Sequence, residues 1–221
     1  MIKHPILGHT FFWANNDGSI SFFDSGTSAK DAKLALRAIK KVGFNINDLK
    51  QLIISHSHFD HIGGIPTIKK TQPEIQIVAH KIETHFLENP YRLDSRHLRG
   101  FTKWVYLPFF RYFETRPIKV NHKVTSKTND KFFSFIHLPG HTLGSMGLYL
   151  KDSGVIFTGD ALYTGKNGHI DYSPSNFSLN PELERKSIQK LREYEFEILV
   201  SSHGLPINKA RKRLEVFLEE R

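Results

Sequence analysis

Between residues 55 and 64 the chain reads SHSHFDHIGG, which places His56, His58, Asp60 and His61 within six positions. Packed together without a cation, four such side chains would leave several polar groups unsatisfied, whereas imidazole nitrogen and carboxylate oxygen are ordinary ligands of a divalent metal. The cluster reads as one part of a metal site. No sulfur is available among the donors, so zinc fits best, with iron or manganese as the alternatives. One loop cannot close the coordination of two ions, and further donors must come from elsewhere in the chain. Three occur in matching contexts, each where an apolar run ends: His141 in LPGHTLGS, Asp160 in IFTGDALY and His203 in LVSSHGLP.

These residues need strands to carry them, and the pattern of the chain supplies strands. TFFWANNDGSISFFDSG, 10 to 26, is two aromatic and β-branched runs about Asn-Asn-Asp-Gly, which is a hairpin signal. SAKDAKLALRAIKKVG, 28 to 43, opens on a Ser cap, puts Ala32, Leu36 and Ile39 on one stripe and stops at Gly, which predicts a helix. QLIIS (51 to 55) and IQIVA (75 to 79) predict buried strands, with a polar loop and then a helix from GGIPTIKK between them. The second half repeats the rhythm. FFSFIHL predicts a strand, MGLYLKDSGVIFTG a hairpin about Asp-Ser-Gly, PELERKSIQKLREY a helix, EILVSS a strand and NKARKRLEVFLEE a closing helix. No Ser/Gly/Pro-rich linker divides the chain, so residues 1–221 are expected to form one domain of two similar halves. Residues 86–118 break the rhythm with a run dense in aromatics, read either as an insertion that folds over a site or joins two copies, or as helices packing their own aromatics.

Composition narrows the chemistry further. The chain has 221 residues, enough for a full hydrophobic core, and 15 Gly with 10 Pro is far from low complexity. It has no cysteine, which excludes disulfides, thiolate-bound zinc, iron–sulfur clusters and a thiol nucleophile. The N-terminal MIKHPILGHTFF lacks the apolar run of a secretory signal, so the expected location is cytoplasmic. Residues 132–150 contain no Asp, Glu, Lys or Arg, but two His, one Pro and three Gly make a poor membrane span, and none is expected. The net charge of +9 raises the question of nucleic acid. Lys and Arg are spread along the chain and are thickest in KARKRLEVFLEER, where Glu interleaves with them, so ordinary surface charge is the preferred reading. The remaining histidines, His4, His9, His80, His85, His97, His122, His137 and His169, are assigned to surface or packing, with His169 the one placed to approach a substrate.

HSHFDH, PGHTLGS, TGDALY and SSHG, in this order and at these separations, resemble the motif series of the metallo-β-lactamase-fold hydrolases, and the resemblance runs from FFDSG to His203. It implies an α/β fold, a four-layer αβ/βα sandwich, with a dinuclear metal site along one edge of two mixed sheets. It implies that His56, His58 and His141 bind one metal, that Asp60, His61 and His203 bind the other, that Asp160 bridges them, and that Asp24 in FFDSG orients ligand imidazoles. The activity implied is hydrolysis by a hydroxide held between two zinc ions, with iron or manganese as substitutes. Tyr163 is placed to donate to the developing oxyanion and Asp60 to pass a proton to the leaving group, although Tyr163 as a packed aromatic reads equally well.

DALYTGKN with the helix after it is similar to the corresponding region of acyl-homoserine lactone lactonases, which favours a small-molecule ester, lactone or thioester as substrate. With about 18 residues after His203, the helical domain of the hydroxyacylglutathione hydrolases is not expected. True β-lactamases of this fold use a cysteine ligand or lack the bridging aspartate, which disfavours antibiotic hydrolysis. Three alternatives stay open: a mononuclear iron sulfur dioxygenase, a phosphodiesterase or nuclease of the same fold, and a binding protein without activity. Self-association is left open, and the aromatic segment 101–113 is expected to wall an acyl pocket.

Overall fold

Strands of two to six residues alternate with short amphipathic helices in a computed structural model that describes residues 2–3, 8–89, 117–128 and 130–220. The chain divides into two compact units, Met1–Lys123 and Val124–Arg221. In the first unit β1 (Ile2–Lys3), β2 (His9–Ala14) and β3 (Ile20–Phe23) are followed by α1 (Ala29–Lys41), β4 (Leu49–Ile54), α2 (Phe59–Ile62), α3 (Ile65–Thr71), β5 (Gln76–His80) and α4 (Lys81–Glu88). The last strand, β6 (His122–Val124), runs into the second unit. The six strands form one sheet in the order β1-β2-β3-β4-β5-β6. β2 and β3 are the antiparallel hairpin read from Asn-Asn-Asp-Gly, while β3, β4 and β5 run parallel.

Parallel strands are covered on both faces, which is why β4 reads as continuous Leu-Ile-Ile. Leu52 and Ile54 point with Ile20, Phe22 and Ile77 into a core completed by Ala32, Ala35, Leu36 and Ile39 of α1 and by Ile65 and Ile68 of α3. Phe23 and Ile53, on the opposite face by the strand's twofold alternation, are buried as well. Ser28 caps α1 by accepting from the Asp31 backbone N–H, as its sequence predicts. The expected polar loop after β4 is instead tightened into the single turn of α2, so that His58 precedes a helix and Asp60 and His61 sit inside it.

In the second unit β7 (Ser134–His137), β8 (Met146–Leu150), β9 (Val155–Phe157), β10 (Leu162–Thr164) and β11 (Ile170–Tyr172) precede α5 (Pro181–Ile188), β12 (Ile198–Val200), β13 (Ile207–Asn208) and α6 (Ala210–Glu219). Five strands form a sheet in the order β13-β12-β9-β8-β7, with β9 and β12 parallel. Ile136, Ile156 and Leu199 share a core with Ile188 of α5 and with Leu214, Phe217 and Leu218 of α6. The helix predicted through Tyr194 stops at Ile188 and continues as a 3₁₀ turn over Gln189–Glu193. β10 and β11 make a separate hairpin that the sequence reading missed, closed by a Gly165 N–H donating to the His169 carbonyl at 2.8 Å. Most of the aromatic run at 86–118, including 101–113, lies outside the described residues. Its flanks are described: α4 carries residues 86–88, and the Ile118 N–H donates to the Leu87 carbonyl at 2.8 Å.

Candidate functional site

In the first unit the candidate donors follow β4 and are organised by Asp24, the residue after β3. Asp24 adopts a left-handed backbone with φ 60°, uncommon outside glycine, and its N–H donates to the Ile53 carbonyl at 2.9 Å. This turn sends a wholly buried carboxylate back across the ends of β3 and β4. Asp24 Oδ1 accepts from the Ser55 backbone N–H at 2.8 Å, and Oδ2 accepts from the Ser55 hydroxyl and from His61 Nδ1, each at 2.8 Å.

An ionised carboxylate only accepts, so the proton of His61 is on Nδ1. Ser55 directs its own proton to Asp24, and its oxygen accepts from His56 Nδ1 at 2.9 Å. Both imidazoles therefore turn an Nε2 lone pair away from their supports, the tautomer that a metal requires. The His56 ring lies 4.5 Å from that of His58 and 4.0 Å from that of His61, centroid to centroid, and Asp60 Oδ2 is 3.5 Å from His61 Nε2. Glu83 of α4, fully buried, accepts from the Ser57 N–H at 2.8 Å and fixes the backbone between the first two histidines.

In the second unit the candidate donors come from three places. β9 and β12 pair in parallel with Phe157 opposite Val200, so Asp160 and His203, each three residues further on, emerge at the same edge of the sheet. Backbone bonds from Thr158 N–H to the Val200 carbonyl and from Ser202 N–H to the Gly159 carbonyl continue that pairing past the strands. His141 follows β7 and is held by Leu179 N–H on its carbonyl at 3.1 Å. Its Nδ1 is 3.1 Å from Ser173 Oγ, which again leaves Nε2 for another partner.

Asp160 Oδ2 is the point of convergence, 3.2 Å from His203 Nε2, 3.5 Å from His141 Nε2 and 3.4 Å from the Tyr163 hydroxyl. The Tyr163 ring stacks on His203 at 5.0 Å. Two glycines permit these approaches. A Cβ on Gly140 would stand 2.2 Å from the Glu184 Cα, and one on Gly204 would stand 1.8 Å from the Thr164 carbonyl oxygen.

Glu184 of α5 is buried against Gly140, and burial pushes its carboxyl up to about 7. Hydrogen bonds from the Ser178 hydroxyl and the Ser173 N–H oppose that shift, and the negative charge of Asp160 adds to it.

Within each unit the sequence-predicted donors lie close together: His56 beside His58 and His61, and Asp60 beside His61, in the first, and Asp160 beside His141 and His203 in the second. Nitrogen and oxygen donors with their far edges already fixed suit a divalent metal cation. Ser55, Glu83, Ser173 and Glu184 were not singled out from the sequence. Of these only Ser55, adjacent to HSHFDH, carried a local signal. Among the other histidines, His80 accepts from the Ile82 N–H as the cap of α4, His137 Nε2 lies 2.9 Å from the Leu143 carbonyl, and exposed His169 lies 3.6 Å from Asp171. His4 and His97 lie outside the described residues. Among the described residues no helix is long and apolar enough to cross a membrane.

A family model described as the metallo-beta-lactamase superfamily matches residues 11–203. The chain is 26% identical over 210 residues to the probable metallo-hydrolase YflN of Bacillus subtilis, covering 86% of this chain and 76% of that one. It is 28% identical over 158 residues to the N-acyl homoserine lactonase AiiA of Bacillus thuringiensis, covering 70% of this chain and 54% of the lactonase. The chain therefore spans about half the length of that relative. Among solved structures, the B3 metallo-beta-lactamase BLEG-1 superposes with a TM-score of 0.70 at 26% identity, covering 97% of this chain and 96% of that one.

Proposed function

The chain belongs to the metallo-beta-lactamase superfamily, and from that premise we propose that it is a dinuclear, zinc-dependent hydrolase of a small-molecule carboxylic ester, lactone or thioester. In this reading the donors of the two units serve one pair of cations within a single functional domain. His56, His58 and His141 hold the first, Asp60, His61 and His203 hold the second, and Asp160 is shared. Bound there, the cations supply Lewis acidity toward the scissile carbonyl and lower the pKa of water toward neutrality. The protein's own residues do the rest. Asp24, Ser55 and Ser173 keep the Nδ1 protons in place so that each Nε2 faces inward. The Tyr163 hydroxyl, at a long 3.4 Å from Asp160, turns to donate to the substrate carbonyl oxygen as charge builds on it. Asp60 carries a proton to the leaving oxygen or sulfur. A cytoplasmic location belongs to the same proposal.

The observation that carries this reading is the orientation of the imidazoles, whose Nδ1 edges are engaged by Ser55, Asp24 and Ser173. Metal analysis with a substrate screen tests it. About two zinc per chain with turnover of a lactone, ester or thioester is the expected result. One iron per chain with oxygen uptake would replace it by a sulfur dioxygenase, and turnover of a phosphodiester or a β-lactam alone would reassign the bond.

A further inference from the structure

The basic stretch that ends the sequence has no place in the proposed reaction, yet it lines a cavity of about 430 Å³ between α6 and the turn joining β10 to β11. Lys209, Lys212 and Arg213 come from the start of α6, and His169 faces them from the turn. At these positions, with Val216 and Phe217, the helix presents one stripe at three- and four-residue spacing. Among the described residues none of the three cations is paired with a carboxylate. Arg213 Nη1 instead donates to the Asn167 carbonyl at 3.3 Å. Its guanidinium packs against Gly168, where a Cβ would come within 2.7 Å of it, so a side chain at this turn would crowd the charge in the cavity wall. The floor is apolar: Ile170 and Phe217 are buried, while Val216 is 46% exposed, the kind of apolar surface that a ligand can cover. Among the described residues Glu220 is the single carboxylate on the rim.

We propose that this cavity binds a small organic phosphate, its oxyanion held by Lys209, Lys212 and Arg213 and its apolar part resting on Ile170, Val216 and Phe217. Three cations around one concavity suit a doubly charged phosphate better than a carboxylate, and a guanidinium offers paired donors in a fork. A volume of this size accommodates a ring or short chain beside the anion. Every residue invoked lies in the second unit and none is a proposed metal ligand, so the site stands or falls separately from the reaction above.

Calorimetric titration of the full chain, carrying its metal as purified, tests the proposal with phenyl phosphate, inorganic phosphate and benzoate as probes. Phenyl phosphate is expected to bind more tightly than either of the others. The double substitution Lys212→Gln, Arg213→Gln is expected to weaken it at least tenfold with thermal unfolding unchanged. Val216→Ser is expected to weaken phenyl phosphate about threefold and to leave inorganic phosphate as it was. Equal affinity in the folded double variant, or no heat from any of the three probes, would overturn the assignment.

Discussion

The two units supply their candidate donors in opposite ways. In the first, four donors leave one short segment, and a single buried carboxylate, Asp24, locks the support beneath them. In the second, three donors leave three segments spread over more than sixty residues, and what holds them is sheet register together with a hydroxyl, Ser173. A charged acceptor fixes a tautomer firmly, since hydrogen bonds to ionised groups are roughly twice as strong as neutral ones. A hydroxyl can turn its proton either way and fixes it less. The first unit is thus a rigid template, and the second depends on the fold around it.

Substitutions can break or sharpen that contrast. The largest effect is expected at Asp160, where convergence is densest: Asp160→Ala should lose bound metal and hydrolysis together, read by metal analysis and turnover of the same sample. Tyr163→Phe removes only the hydroxyl and should slow turnover by about 10²-fold with metal content intact. Asp24→Asn should weaken metal binding by about 10- to 100-fold in a competition titration, because the Ser55 hydroxyl and His61 Nδ1 lose the oxygen they share while the Ser55 N–H can keep the other. Ser173→Ala should sit at or below the low end of that range, near 10-fold. An Asp24 variant no worse than the Ser173 variant would erase the distinction between charged and neutral support.

The smallest effect is a slope. The Glu184 carboxyl titrates near 7 in the folded chain and near 4.5 when exposed, so the native state binds the extra proton between those values. Stability from this group is full below about pH 4.5 and is lost as pH rises toward 7. Glu184→Gln should flatten that part of a plot of unfolding free energy against pH, measured by urea denaturation.

The same contrast explains what was legible beforehand. HSHFDH announces itself because its donors are neighbours in sequence, and Asp24 was reached only through the family resemblance. His141, Asp160 and His203 could be picked out because each follows an apolar strand, but their convergence depends on β9 and β12 pairing in parallel, which no local pattern encodes. Ser173 lies far along the chain from the histidine it supports, Glu184 accepts from the Ser173 N–H further on still, and both look like any serine and glutamate. The hairpin of β10 and β11 was missed because three-residue strands carry too little alternation to stand out, although Lys-Asn-Gly marked its turn. The one-turn helix α2 was missed for a similar reason: four residues are too few to show a helical period.

Gly140 has a consequence for how this protein can vary. Its α-carbon rests against the backbone of Glu184, so even alanine there must push α5 outward, and His141 is the next residue along. In a saturation library read by folding alone, a displaced helix could still be tolerated. In one read by metal uptake, position 140 should accept nothing but glycine, and the gap between the two maps would report how tightly α5 serves as a buttress.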